Sequence, residues 1–306
     1  MQEGSKKAIV AAFFANLGIA VAKFVGFFFT GAASMLAEAV HSVADATNQG
    51  LLLLGGARAR RAATAEHPFG YGRERYFWSF VVALVIFTLG SLFALFEGQE
   101  KLRHPHELES AGWAIAILAV AIVFETLSLR TAVHESRVAK GDRSWWEFIR
   151  RSKSPELPVV LLEDLGALLG LAFALAGVGL AEITGNARFD GAGTLAIGVL
   201  LGAIAIILVV EMKSLLIGES ASPAEIERIS GAIARDPRIE RVVHMRTQHI
   251  GPEELLVAVK IAIDAHLSLG EVAALIDEAE GRVRAAVPSA RIIYVEPDVG
   301  RAPAAG

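Results

Sequence analysis

At 306 residues, 54% hydrophobic and only 20% charged, with a mean hydropathy of +0.49, the chain is too apolar for an ordinary soluble protein. A net charge of −4 offers no basic field, which excludes nucleic acid as an expected partner. With no cysteine, any bound metal must be held by nitrogen and oxygen, which disfavours Cu(I) and iron–sulfur chemistry.

A helix needs about 20 apolar residues to cross a hydrocarbon core about 30 Å thick. Six stretches qualify, at 8–30, 33–55, 76–96, 111–133, 157–183 and 191–216. The first follows Lys6 and Lys7 but exceeds the apolar core of a secretory signal, so it reads as a retained helix. No Arg-rich, acid-poor leader precedes it, so no transit peptide is expected. Positive residues concentrate after span two (Arg58, Arg60, Arg61, Arg73, Arg75) and after span four (Arg137, Lys140, Arg143, Arg150, Arg151, Lys153). Cytoplasmic loops retain positive charge, so both termini are expected in the cytoplasm, in the cytoplasmic membrane of a prokaryote. Trp145 and Trp146 lie in the charged loop after span four and are expected at the headgroup layer.

The second span carries the sharpest signal. Glu38, His41, Asp45 and Gln49 recur at helical spacing in an otherwise apolar segment, and His41 and Asp45 stack one turn apart on one face. An ionisable group at the bilayer centre costs about 2.5–3.5 kcal/mol on insertion scales, so several together need a compensating role. Span five supplies the complement, Glu163 and Asp164, with Gly166 and Gly170 expected to let helices two and five approach closely. The plainer reading is interhelical hydrogen bonding, or an ion pair with Lys23 of span one. The HxxxD face with a second acidic pair elsewhere favours a metal site of His41, Asp45 and Asp164. Glu38 lies a turn from that centre, as access pathway or outer support, and Asn48 and Gln49 read equally well as packing residues.

From about Glu219 the composition becomes that of a small soluble domain. Ser222-Pro-Ala-Glu225 and Ser268-Leu-Gly-Glu271 are capping boxes that open helices. Segments 239–249, 255–264 and 291–296, rich in β-branched residues, read as strands. The expected organisation is therefore an α-helical membrane domain of six transmembrane helices at 1–218, a cytosolic α/β domain at 219–298 and a frayed tail at 299–306.

Asn16, Lys23, Gly26, Gly31 and Ser34, followed by Ala37-Glu-Ala-Val-His-Ser-Val-Ala-Asp45, resemble the first two helices of the cation diffusion facilitator family. His67-Pro-Phe-Gly-Tyr-Gly-Arg73 resembles its signature after the second helix, and Tyr294-Val-Glu-Pro297 resembles the end of its cytosolic domain. Finer details, Asn48-Gln-Gly-Leu-Leu52, Leu161-Leu-Glu-Asp164 and Ile183-Thr-Gly-Asn186, look like the branch containing the mitochondrial zinc exporter of animals. The resemblance implies proton-coupled efflux of Zn2+, with Mn2+, Fe2+, Co2+, Ni2+ or Cd2+ as alternatives, by a homodimer with a ferredoxin-like, metallochaperone-like cytosolic domain. It implies no organic cofactor.

Position by position, the resemblance places the transport ligands at His41, Asp45 and Asp164. The family histidine four residues before the last aspartate falls at Val160 here. Tetrahedral zinc then needs a fourth ligand from water, Glu163 or Asn48. Glu163 stands about 100° round the helix from Asp164, so its service would need that helix to rotate or bend. His67 matches a family ligand, but Thr64 and Tyr71 replace its partners, and Lys260 and Tyr294 stand where family histidines bind zinc, so the binuclear cytosolic site is expected to be absent or altered. His244 and His249 are spaced to point to opposite strand faces. His104, His106, His134 and His266 read as solvated side chains. A membrane metalloenzyme would need an HExxH run, which is missing. A non-transporting sensor or scaffold would have no use for ionisable groups at membrane depth.

Overall fold

Within lipid, backbone amides must find partners inside their own segment, so apolar runs become helices. The computed structural model describes residues 9, 10, 13, 14, 16–18, 20, 21, 24, 25, 28, 33–105 and 111–299. The chain divides into two compact units, Met1–Arg61 with Glu74–Lys213, and Ala62–Arg73 with Ser214–Gly306.

The first unit is built of α1 (Ala33–Arg58), α2 (Glu74–Val81), a π-helical stretch (Val82–Phe87), α3 (Thr88–Arg103), α4 (Ala111–Lys140), α5 (Trp145–Arg151), α6 (Glu156–Thr184) and α7 (Arg188–Ile217). Among the described residues, four stretches are long and apolar enough to cross a membrane: Glu74–Arg103, Ala114–Lys140, Glu156–Thr184 and Arg188–Ile217. The 26-residue α1 is long enough to cross a membrane and carries the polar residues Glu38, His41, Asp45, Asn48 and Gln49. About half of the stretch expected as the first span lies outside the described residues, as do Lys23 and His106. The third expected span is one continuous run whose middle widens to π geometry.

The helical core gathers Leu52, Val82, Ala83, Phe148, Leu157, Val159, Val160, Ile204 and Leu208. Two features of it were not anticipated. The first is α5, a two-turn helix opened by Ser144, whose side chain accepts from Glu147 N. It buries Phe148 completely, while Trp145 and Trp146 stay partly exposed beneath the cations of Lys140 and Arg150. The second is a buried ion pair. Arg75 at the start of α2 meets Glu156 at the start of α6 through both carboxylate oxygens, Nη2 to Oε2 at 2.9 Å. Glycines allow α6 and α7 to approach closely. A Cβ on Gly177 of α6 would meet Phe189 O at 2.9 Å, and one on Gly193 of α7 would meet Phe173 O at 2.8 Å. Gly166 and Gly170 face Ile204 and Ile197 of α7 rather than α1, which corrects the expectation that they bring helices two and five together.

The second unit contains α8 (Pro223–Ile233), β1 (Ile239–Gly251), β2 (Glu254–Ile263), α9 (Leu269–Ala286) and β3 (Ala290–Val299). Both helices open on complete capping boxes, at Ser222 and Ser268. The sheet order is β1-β2-β3, with β1 and β2 antiparallel and β2 and β3 parallel, as the α9 crossover requires. Alternate residues Leu255, Val257, Val259 and Ile261 of β2 are buried with Ile229, Ile233, Leu275 and Val283 of the helices. The segment 62–73 folds with this unit, where Gly72 lies against Gly251 of the β1–β2 turn.

Candidate metal centre

Helix α1 carries Glu38, His41, Asp45, Asn48 and Gln49. The side chains of Glu38 and His41 lie outside the described residues, although their helix is described. Asp45 is half-buried, and Asn48 and Gln49 are buried. Facing them, α6 is closely covered around Val160, and Glu163 and Asp164 are both buried.

Glu163 is the α6 side chain that turns toward α1. Its Oε1 accepts from Asn48 Nδ2 at 3.1 Å and from Gln49 Nε2 at 3.0 Å. Gln49 in turn lies at the limit of a hydrogen bond from Asn16 Nδ2, 3.5 Å. Asp164 turns instead toward α4, where its Oδ2 accepts from Ser128 Oγ at 2.9 Å. Glu163 and Asp164 remain one electrostatic neighbourhood. Asp45, Asp164 and Glu125 all act on Glu163, and Glu125 and Asp45 act on Asp164. Four carboxylates near one another in a poorly screened interior repel strongly unless protons or a cation intervene.

The structure thus places Asp45, Glu163 and Asp164 in one neighbourhood, with Asn48 and Gln49 against Glu163. Among the described residues, no three histidine or acidic side chains converge tightly enough to enclose an ion. Ser128 and Glu125 were missed in the sequence, although the criterion applied to span two finds them: polar residues three apart, one helical turn, in an apolar span. Glu163 faces α1 and Asp164 faces α4, so the two adjacent carboxylates turn to different neighbours.

Apart from His104, the positions that follow lie in the second unit. His67 is exposed and stacks on Tyr71, ring centroids 4.7 Å apart, while its backbone N donates to Thr64 Oγ1. Lys260 lies between two carboxylates, Nζ at 3.0 Å from Glu296 and 3.3 Å from Asp298, and those bonds raise its pKa above the ordinary lysine value. An ammonium thus already neutralises these carboxylates. His244 is exposed and His249 buried, so the two strand histidines meet unlike surroundings. His266, whose backbone N donates to Asp264 Oδ1, is exposed, as is His104.

Residues 9–217 match the cation efflux transmembrane domain, and residues 221–298 match the cation efflux protein cytoplasmic domain. The chain is similar to the human protein named "Proton-coupled zinc antiporter SLC30A9, mitochondrial", 34% identical over 248 residues that cover 80% of this chain and 44% of that protein. It is 30% identical over 250 residues to "Metal tolerance protein C4" of Arabidopsis thaliana, covering 81% of this chain and 55% of that one. The chain therefore spans about half the length of these two relatives. "Magnetosome protein MamB" of Magnetospira sp. (strain QH-2) is 23% identical, with 93% of this chain and 92% of that protein covered. Both matched domains occur in order and together take up nearly the whole sequence, and the chain belongs to the cation efflux, or cation diffusion facilitator, family of membrane proteins.

Proposed function

We propose that this chain exports a divalent transition-metal cation, Zn2+ foremost, from the cytoplasm in exchange for protons, by alternating access around His41, Asp45 and Asp164. In this reading residues 1–218 form six membrane spans, 219–298 a cytosolic domain that pairs two copies of the chain, and 299–306 a tail. The observation that supports it is the pair of buried carboxylates on α6 of an apolar helical unit, Glu163 hydrogen-bonded to Asn48 and Gln49 of α1 and Asp164 to Ser128 of α4. Burying such charges is costly without a counter-ion, and protons and a dication compete for the same lone pairs. That competition is what couples the two flows. The names of the similar human and plant proteins, a proton-coupled zinc antiporter and a metal tolerance protein, support the same substrate class. An imidazole with carboxylates suits Zn2+, with Co2+, Ni2+, Fe2+, Cd2+ and Mn2+ as further substrates.

The test is Zn2+ flux into proteoliposomes with and without an imposed pH gradient. The gradient is expected to accelerate flux through the wild-type protein. His41→Ala and Asp164→Ala are each expected to lower it at least tenfold with the protein still folded, and His266→Ala to leave it unchanged. Equal flux in all three variants contradicts the site.

A further inference from the structure

Helix α4 ends in a band of basic side chains. Arg130, His134 and Arg137 follow one another at steps of four and three residues, so they share an arc of about 60° and span about 10 Å along the axis. All three are exposed, and with Thr131 and Val133 they line a cavity of about 500 Å3. Among the described residues, none of the three forms an ion pair. Other cations in the same stretch of chain are engaged: Arg150 meets Glu211 at 2.9 Å, Arg151 meets Glu147 at 3.0 Å, and Arg143 donates to the carbonyl oxygens of Ala139 and Lys140. Glu135 stands about 140° round the helix from Arg130. The proposed ion centre lies on another side of α4, because Ser128, which donates to Asp164, is about 160° round from Arg130.

Toward the middle of the helix the same side of α4 is apolar, with Val123 and Leu127 58% and 54% exposed. An arginine three residues beyond an exposed leucine in a membrane-spanning helix is costly without an anion beside it. Beyond the other end, α4 stops at Lys140 and α5 starts at Trp145, where the exposed indole rings of Trp145 and Trp146 favour the headgroup layer. Along the chain, exposed apolar side chains thus give way to unpaired cations and then to interfacial indoles. That is the order of acyl chain, phosphodiester and outer headgroup surface in one leaflet. A guanidinium offers paired donors to phosphate oxygens, and His134 and Thr131 add further donors. We infer that this face of α4 binds the phosphodiester headgroup of an anionic phospholipid through Arg130 and Arg137, with an acyl chain along Val123 and Leu127. The lipid site is separate from the ion centre and independent of the transport reading.

The experiment compares the affinity of the full-length protein for pyrene-tailed phosphatidylglycerol and pyrene-tailed phosphatidylcholine in detergent micelles, read by energy transfer from its tryptophans. The wild-type protein is expected to prefer phosphatidylglycerol at least fivefold, about the effect of one basic residue at an anionic surface. Arg130→Gln with Arg137→Gln is expected to abolish that preference. Arg241→Gln with Arg246→Gln removes the same charge from β1 of the second unit and is expected to keep it. Equal affinity of the wild-type protein for both lipids, or an intact preference in the folded Arg130→Gln, Arg137→Gln protein, overturns the inference. So does an equal loss in the Arg241→Gln, Arg246→Gln control, which would assign the preference to overall charge. Inorganic phosphate is compared with chloride at the same ionic strength: a preference that survives both supports the lipid, and one lost in phosphate alone assigns the site to a soluble phosphate and overturns it. Should the Arg130→Gln, Arg137→Gln protein not fold, Arg137→Gln alone decides, and a wild-type preference there overturns the inference.

Discussion

Arg75 and Glu156 are 4% and 1% exposed and hydrogen-bonded to each other through both carboxylate oxygens. Removing one partner of a buried pair strands the other charge, at a cost of about 3–5 kcal/mol, whereas replacing both with apolar residues of similar volume is often neutral. Arg75→Met alone is expected to destabilise the folded protein by about that amount, and Arg75→Met with Glu156→Leu to recover most of it. Denaturant titration in detergent micelles compares the three proteins, and a double variant no better than the single one contradicts the account. Lys260 makes a second residue-scale prediction. Because its ammonium already lies between Glu296 and Asp298, added Zn2+ is expected to leave the thermal stability of the cytosolic unit unchanged, and Lys260→Ala to make it respond. Hydrogen exchange of β2 and β3 in the full chain, with and without Zn2+, reads both.

Among the elements, α6 and α7 meet backbone against backbone. Gly177 and Gly193 let α6 and α7 pack so closely that a methyl group on either would fall within 3 Å of a carbonyl oxygen. Gly177→Ala must therefore push the two helices apart, and overpacking of this kind costs about 1–3 kcal/mol. A fall in the unfolding midpoint in detergent is the expected result. A similar approach occurs in the second unit, where a Cβ on Gly72 would meet Ile250 O at 2.8 Å and Gly251 Cα at 3.0 Å. The segment 62–73 is thereby seated on the β1–β2 turn, and it leads directly into α2. Helix α9 depends on its reciprocal cap, in which Ser268 Oγ accepts from Glu271 N and the Glu271 carboxylate accepts from Ser268 N. The Ser268 bonds hold the Glu271 carboxyl below its ordinary pKa. Ser268→Ala is expected to lower the stability of the cytosolic unit by about 1 kcal/mol, measured by hydrogen exchange along α9.

At the scale of the whole molecule, acid acts on the two units through different groups. In the cytosolic unit Asp236 is buried and bound by Arg238, Nε to Oδ1 at 2.9 Å and Nη2 to Oδ2 at 2.8 Å, with Arg282 at 3.3 Å. Hydrogen bonding by Arg238 holds the Asp236 carboxyl well below the usual carboxylate range, against the opposing effect of burial. The unfolded carboxylate takes up its proton near pH 4, at about the ordinary value, while the folded one resists. Below that pH the unfolded state binds more protons, so this contribution is fully present above about pH 4 and is lost as the pH falls through the lower folded value. Asp236→Asn is expected to be less stable than wild type at pH 6 and to lose less on acidification to pH 3, which urea unfolding at the two pH values checks. In the membrane unit, the proposed exchange of protons for metal makes flux follow the pH difference across the bilayer.

The amino-acid sequence by itself determined the membrane class, the helix-strand-strand-helix-strand order of the second unit and the identity of the polar groups in α1 and α6, because each rests on composition, periodicity or a local cap. The π-helical widening within Glu74–Arg103, the burial of Phe148 in a helix too short to announce itself by periodicity, and the Arg75–Glu156 pair across 81 residues depend on partners distant in the chain. Helical spacing puts adjacent residues such as Glu163 and Asp164 about 100° apart, but could not say which of them faces α1. Only tertiary packing decided that: Ser128 of α4 takes Asp164, the amides of Asn48 and Gln49 take Glu163, and a helix must divide two adjacent carboxylates between the neighbours on its different sides.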